Sequence, residues 1–415
     1  MIPPRLIGSS SSAIKSHNLR AILLTLLRQE KVSRVRLARL TGLSTTTITN
    51  LITELLEQGI VAEEGNELSA AQRGVGRPRT ALRLVPQARY AVGVHIGVGR
   101  IRVAVTDLLA RPIYQVGHEP LPDAAPESVL DTVAALVAQA LAESNVAREM
   151  VVGVGVGASG LVDIHEGVNL IAPNLGWRNV PIRAHLTEAL ALPVFVDNNV
   201  RAMALGEALF GCGRDVYTLA FVYGRVGVGA GFVVGGQLYR GSGAGAGEIG
   251  HSILIADGAP PCRCGGSGCL ETLVSEVAII EQAHIVAAAH PAGPLNAALQ
   301  SDGGRTIEQI FAVAREGDDA TLAMLEERAR YLGIALANLV NILNPDVIVL
   351  GGIFEQGADL LLPTVEQTVR TRAFADLGER VQLCVTQFGR QAGVIGAAAL
   401  ALDAFFYQQT ESENF

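Results

Sequence analysis

The chain has no run of eighteen apolar residues and no charged start followed by an apolar block, so neither a membrane span nor export is expected, and the cytoplasm is the expected compartment. Cysteine is scarce, with five in 415 residues; reduced thiols agree with that compartment. Charge is also modest, 17% Asp, Glu, Lys and Arg against 49% hydrophobic residues. That balance excludes a disordered chain and describes a globular one, and the length implies roughly two to three domains with well-formed cores.

The few cysteines are concentrated. Three of the five fall in Gly247–Thr272, GEIGHSILIADGAPPCRCGGSGCLET, which holds His251, Cys262, Cys264 and Cys269. Soft thiolates plus one imidazole suit a tetrahedral Zn2+, and a structural site fills all four positions with protein ligands. Gly265, Gly266 and Gly268 let the loop fold back so that Cys269 reaches the same ion as Cys264. Glu248 and Glu271 sit just outside the set, as groups that such a knuckle would position.

Net charge is -8, but residues 1–89 hold 13 Lys+Arg against 6 Asp+Glu, or +7, and the remainder 19 against 34, or -15. A basic head on an acidic body can approach a polyanion while the body is kept off it. Residues 1–16 are Pro- and Ser-rich and are expected to be poorly ordered. Leu19, Ile22, Leu23, Leu26 and Leu27 then mark one face of a helix. Ser33 is a candidate cap for a second helix, with Leu37, Ala38 and Leu40 as its apolar side. After the turn Thr41-Gly42-Leu43, Ser44 can cap a third helix, Thr45 to Gln58, ended by Gly59.

This is a helix-turn-helix pattern. The third helix opens with Ser44, Thr45, Thr46, Thr47, Thr49 and Asn50, short polar groups that are modest helix formers but suit base edges and phosphates in a major groove. Strands at Ile60–Glu63 and Ala81–Val85 would flank a wing carrying Arg73, Arg77 and Arg79 on a Gly/Pro-extended backbone, suited to a minor groove or flanking phosphates. Arg34 and Arg36 in the second helix complete the candidate DNA contacts.

From Tyr90 the body reads strand, strand, helix, strand, and a second round starts at Tyr217. Gly97-Val98-Gly99 and Gly227-Val228-Gly229 occupy like places, which suggests a duplicated lobe with a ligand cleft between the copies. Glycine turns can cradle phosphates, but phosphoryl transfer also needs an acid for Mg2+ and an acid to take the sugar proton. The first turn offers His95 in place of an acid, and in VDNNVRAMALGE the candidates for proton abstraction are Asp197, Asn198 and Asn199.

These residues resemble the ROK family, which unites sugar kinases with sugar-responsive repressors. The likeness rests on GEIGH with CxCGxxGCLE, on Ala172–Trp177 and on Asn344–Gly352, and it covers nearly the whole chain. The head, with Gly76-Arg77-Pro78 in its wing, is similar to that of the repressor branch, of xylose-repressor and N-acetylglucosamine-repressor type.

The resemblance implies an α/β chain in which a winged helix-turn-helix (residues 1–84) precedes a two-lobed, actin-like body of ribonuclease H-like duplicated type. The first lobe would span 85–195, with helix 390–407 packing back on it, and the second 196–389 with the knuckle. It further implies Zn2+ on His251, Cys262, Cys264 and Cys269; sugar contacts from Asn174, Asn198, Asn199, Glu248, His251 and Glu271; and a homodimer or homotetramer. Trp177 is expected to wall the pocket.

Three positions depart from the kinases: His95-Ile-Gly-Val-Gly99 replaces an Asp-x-Gly-Gly-Thr loop, Val226 stands where a Thr is usual, and Asn199 stands at the proton-accepting Asp. An amide has no useful proton affinity near neutral pH. The expectation is therefore a transcriptional repressor of carbohydrate uptake or catabolism genes, released from its operator DNA by a xylose- or glucose-like monosaccharide, with no catalytic residue; the alternative is an ATP-dependent sugar kinase with a fused DNA-binding head.

Overall fold

The structure, a computed structural model, describes residues 11–66, 80–120, 124–243, 245–300 and 306–408. The first helix of the head, Ser11–Arg28, buries Leu19, Ile22, Leu23, Leu26 and Leu27. It starts inside the stretch expected to be poorly ordered, because no Pro or Gly interrupts the chain between Ser9 and Arg28. Helix Arg34–Thr41 is capped by Ser33, whose hydroxyl accepts from the Arg36 amide, and ends at Gly42 in the left-handed region. Its apolar side is narrower than the spacing suggested, since Leu37 is buried but Leu40 is 48% exposed.

Helix Thr45–Glu57 is capped by Ser44, which accepts from the Thr47 amide at 3.1 Å, and buries Ile48, Leu51, Ile52 and Leu55. The wing strands Val61–Asn66 and Thr80–Leu84 pair antiparallel, and the two residues Val32–Ser33 add to the free edge of the second.

Each lobe of the body is built on a five-stranded sheet. The first contains Tyr90–Gly97, Arg100–Asp107, Pro112–His118, Val151–Ala158 and Val194–Asn198; the second Thr218–Gly224, Val228–Val234, Gln237–Tyr239, Val347–Gly352 and Gln382–Val385. Counting strands along the chain within each lobe, both sheets have spatial order 3-2-1-4-5, with the first three antiparallel and the last two parallel to the first. The lobe is duplicated. The third strand of each copy escapes the sequence pattern, because Pro112–His118 is a half-exposed edge and Gln237–Tyr239 has only three residues. The first sheet runs on to Asn198, past the expected boundary at 195, which delivers that residue to the sheet's C-terminal end.

Two helices, Asn199–Phe210 and Ala392–Leu402, lie almost wholly buried between these layers. The second rests backbone to backbone on the first sheet, where a methyl at Gly93 would overlap the Val394 carbonyl and one at Gly155 the Ala397 carbonyl. Leu205, Leu209, Ile395 and Leu402 of these helices share one hydrophobic core with Leu19, Ile22, Leu26 and Ile52 of the head. A half-buried ion pair, Arg20 Nη1 to Asp403 Oδ1 at 2.8 Å, pins the same junction. Among the described residues no helix is long and apolar enough to cross a membrane.

The close approach gives a stability prediction. Gly155→Ala should cost about 1–3 kcal/mol through overpacking, whereas Gly243→Ala, with nothing within 4 Å, should leave the melting temperature unchanged. Thermal denaturation of the two variants checks this, and equal melting temperatures would refute it.

Candidate metal centre and ligand cleft

The knuckle is held by its own backbone. Short bridges pair Ile253 with Cys269 and Pro261 with Ser267, and Cys262 N donates to Gly266 O at 2.8 Å. Gly268, with φ 70°, is required in place, since a side chain there would strike the Ile255 carbonyl. The result gathers His251, Cys262, Cys264 and Cys269, with ligand atoms all within 4.8 Å of one another. Cys262 Sγ is 3.7 Å from His251 Nδ1, and Cys264 Sγ is 3.7 Å from Cys269 Sγ. Tetrahedral zinc with Zn–S near 2.3 Å has S···S edges of about 3.8 Å, so the donor set fits that ion in type and spacing. Burial and the neighbouring thiols push the Cys269 thiol up to about 12, so a cation is what would hold these sulfurs together as thiolates.

The knuckle fixes two acids. Glu271 begins the turn of helix Glu271–Val274, and its Oε2 accepts from the Val228 amide of the second glycine turn at 3.0 Å. Glu248 precedes the short 3-10 turn Ile249–His251. The protein packed around Glu248 raises its carboxyl above the usual range, and Glu271 adds to this while His251 and Arg201 oppose it. Both acids face a cavity of about 450 Å3 between the lobes, together with Asn174, Asn198, Asn199 and His251. All six residues expected to touch sugar are thus brought to one cleft, of a size that holds a small ligand.

Their hydrogen-bonding capacity is partly occupied. Asn198 caps helix Asn199–Phe210, accepting from the amides of Val200 (2.8 Å) and Arg201 (3.2 Å) and donating to Gly160 O (2.9 Å). One of its N–H groups is left for a ligand. Asn199 accepts from Val200 N at 3.0 Å and meets Ser159 Oγ at 3.3 Å. Asn174 Oδ1 accepts from Arg263 Nη1 at 2.6 Å; Arg263, inside the knuckle sequence between two cysteines, is a lining residue that the motif reading missed. Trp177 does not wall the cleft. Its strand pairs with Val168–Ala172, and alternation sends the indole, 3% exposed, into the core of the first lobe.

Neither Asp197 nor His95 can serve phosphoryl transfer as it stands. Asp197 is fully buried, with Oδ1 accepting from Arg201 Nε and Asn198 N, each at 2.7 Å, and Oδ2 from Arg240 Nε at 2.9 Å. A carboxylate so engaged is not a free base. Burial, then Arg225, Arg100 and Arg102, lower His95 to about 4, so its ring is neutral at pH 7. With Tyr223 and Arg225 it lines both the cleft and a second cavity of about 200 Å3, whose other charged residues are Arg100, Arg102, Arg390, Glu276, Glu308 and Glu355.

On the head, Thr45, Thr46, Thr49 and Asn50 are exposed, whereas Ser44 and the half-buried Thr47 bond each other at 2.8 Å as the helix cap. Arg36 is exposed, and Arg34 pairs with Glu63 at 2.8 Å. Arg73, Arg77 and Arg79 lie outside the described residues.

A winged helix-turn-helix head sharing its core with a two-lobed, actin-like body defines a DNA-binding protein with a ligand cleft. Residues 91–404 match the model of the ROK family and residues 15–62 that of winged helix-turn-helix DNA-binding domains; the chain belongs to the ROK family. It is 31% identical to a putative xylose repressor of Caldicellulosiruptor sp. (strain Rt8B.4), over 94% of this chain and 96% of that one. A solved ROK family transcriptional regulator, a homolog of E. coli MLC protein, is 28% identical with a TM-score of 0.78, over 95% and 98% of the two chains. A ROK family glucokinase from Streptomyces griseus, solved with glucose and AMPPNP, is 31% identical with a TM-score of 0.68, over 76% of this chain and all (100%) of that one.

The histidine sets a pH dependence. Its pKa lies at about 4 in the fold against 6.5 when exposed, so between these values the unfolded chain binds a proton that the folded chain does not. This group therefore lowers stability as pH falls from about 6.5 towards 4, by up to about 3 kcal/mol. His95→Gln should flatten the profile in that window relative to wild type; urea denaturation at several pH values measures it, and parallel profiles would refute it.

Proposed function

We propose that the protein is a sugar-responsive transcriptional regulator, a repressor of carbohydrate uptake or catabolism genes that leaves its operator when a monosaccharide fills the cleft. The observation that carries this is the cleft itself: two carboxylates and three amides converge on it, yet the proton-acceptor position is Asn199 and the adjacent Asp197 is sealed by two arginines. Such a site can bind a polyol and cannot take its proton.

Vicinal hydroxyls of the sugar donate to Glu248 and Glu271, and Asn174, Asn198, Asn199 and His251 complete the contacts. A Zn2+ ion on His251, Cys262, Cys264 and Cys269 supplies rigidity alone, since four protein ligands leave no open position. The similarity to a putative xylose repressor favours a pentose or a glucose-like hexose as effector.

On DNA, helix Thr45–Glu57 enters the major groove with Thr45, Thr46, Thr49 and Asn50 towards base edges. The capped N-terminus at Ser44 and Thr47 and the side chains Arg34 and Arg36 meet phosphates, and Arg73, Arg77 and Arg79 follow the flanking groove. A homodimer, or a homotetramer of two such dimers, sets two heads on half-sites about 34 Å apart. The cytoplasm, where operator and sugar are both present, is the compartment this reading requires. The sugar weakens DNA binding only as far as it prefers the non-binding arrangement, and a hundredfold effect needs about 2.7 kcal/mol of difference.

Fluorescence anisotropy with promoter fragments tests the reading. Binding is expected to be sequence-specific, to weaken steeply with salt, and to be released by D-xylose or D-glucose. Glu248→Gln with Glu271→Gln should hold the operator and ignore the sugar. Affinity no better than for random duplex sinks the proposal.

The likeness to a glucokinase solved with glucose and AMPPNP favours a second reading, a sugar kinase carrying a regulatory head. With ATP, Mg2+ and a panel of aldoses, no sugar phosphate is expected, and robust turnover would establish the kinase instead.

A further inference from the structure

Asp197 closes a polar network directly behind the cleft. The next two residues along the chain are the ligand-facing Asn198 and Asn199, and its Oδ2 accepts from Arg240 Nε at 2.9 Å, where the Asp197 side chain is 0% and that of Arg240 27% exposed. Arg240 comes from the other lobe. It follows the edge strand Gln237–Tyr239, and its carbonyl accepts from the Ala246 amide at 3.3 Å, one residue before the knuckle segment begins. Three runs of chain meet at this residue, the end of the first sheet through its side chain and the edge of the second and the lead into Glu248 through its backbone.

The same edge strand reaches the DNA-binding head. Leu238 packs against the core shared with the head's first helix, and the turn before it, Gly235-Gly236, has both residues in the left-handed region. A Cβ built on Gly236 would lie 3.8 Å from Nη2 of Arg28, the last residue of that helix. A path of neighbouring groups therefore runs from Asn198 and Asn199 through Asp197, Arg240 and the strand Gln237–Tyr239 to the turn beside Arg28. A charge-assisted bond suits such a path. Arg201 and the Asn198 amide hold Asp197 Oδ1 in the interior, so Oδ2 meets Arg240 from a fixed position.

We infer that Arg240 is a positioning residue that couples the cleft to the head: by holding Asp197 it makes any shift of Asn198 and Asn199 on the ligand move the strand Gln237–Tyr239, and with it Leu238 in the shared core and the turn beside Arg28 at the end of the head's first helix. This rests on the sugar-responsive reading of the cleft. Helix Asn199–Phe210 offers a competing route, since it starts at the cleft and places Leu205 and Leu209 in the head's core. The two routes give different results when Arg240 is changed.

The test uses the full chain and measures operator affinity with and without saturating D-xylose or D-glucose, with sugar affinity taken separately by calorimetry. The ratio of the two operator dissociation constants is the coupling factor. In Arg240→Gln that ratio should fall at least about fivefold towards 1, while the sugar affinity and the sugar-free operator affinity each stay within about threefold of wild type. Arg240→Lys, which keeps the charge, should restore part of the ratio. Arg28→Ala provides an independent arm at the far end of the path; Arg28 is exposed, so its removal does not threaten folding, and the ratio should fall there too.

Wild-type coupling retained in Arg240→Gln, or in Arg28→Ala should the first variant fail to fold, overturns the inference and leaves helix Asn199–Phe210 as the carrier. A wild-type chain whose operator affinity is blind to every sugar instead removes the reading on which the inference rests, and the inference with it.

Discussion

The fold depends on a contact with no side chain in it. Helix Ala392–Leu402 lies directly on strands Tyr90–Gly97 and Val151–Ala158 because Gly93 and Gly155 present no Cβ to the carbonyls of Val394 and Ala397. Interiors tolerate little change of volume at such a spot. The helix sits low enough to pack its other side on Asn199–Phe210, where Gly396 and Gly206 again allow close approach. Only with both helices seated does the head find leucines to bury, and only then does Asn198 stand at the mouth of the cleft with its cap bonds made. The Ala- and Gly-rich composition of residues 392–402 is the requirement of that geometry, since larger side chains would lift the helix off the sheet.

Electrostatics then decide what the cleft can do. Its two lining acids, Glu248 and Glu271, flank the knuckle, and Glu271 is held by the Val228 amide before any ligand arrives, so less ordering is left to oppose binding. The third acid in reach, Asp197, is neutralised by Arg201 and Arg240. Where a metal-holding carboxylate would serve a transferase, a neutral imidazole stands among three guanidiniums. The frame is shared with a glucokinase solved with glucose and AMPPNP, and in this chain amides line the cleft at Asn174, Asn198 and Asn199.

Much of this was legible in the chain, and unevenly so. The knuckle was readable because its ligands are close in sequence and chemically rare; the spacing alone placed four donors within reach. The helix-turn-helix was readable from apolar period and from Ser33 and Ser44 as caps, since both signals are local. The duplicated lobe showed through its glycine turns, but the third strand of each copy did not, because edge strands carry a weak alternation and one of them spans three residues. Trp177 was misplaced for a related reason: proximity to Asn174 in sequence says nothing about which face of a strand a side chain takes. Arg263, Arg240 and the sealing of Asp197 were invisible, because each depends on segments that meet only after folding.

The core that joins the head to the body has a consequence for how such chains are recombined. A DNA-binding head on a flexible tether could be exchanged between relatives as a unit, with specificity inherited and everything else unchanged. Here Leu19, Ile22 and Leu26 pack in the same cluster as Leu205, Leu209 and Ile395, so a graft would bring a foreign set of knobs to native holes. A chimera of this protein should be cut along the packing, keeping the buried faces of Ser11–Arg28 and Thr45–Glu57 with the body and exchanging only the exposed Thr45, Thr46, Thr49 and Asn50. Sequence drift on the two sides of that seam should be correlated for the same reason: the exposed face of the head can change freely, while the joint beneath it changes only in matched pairs.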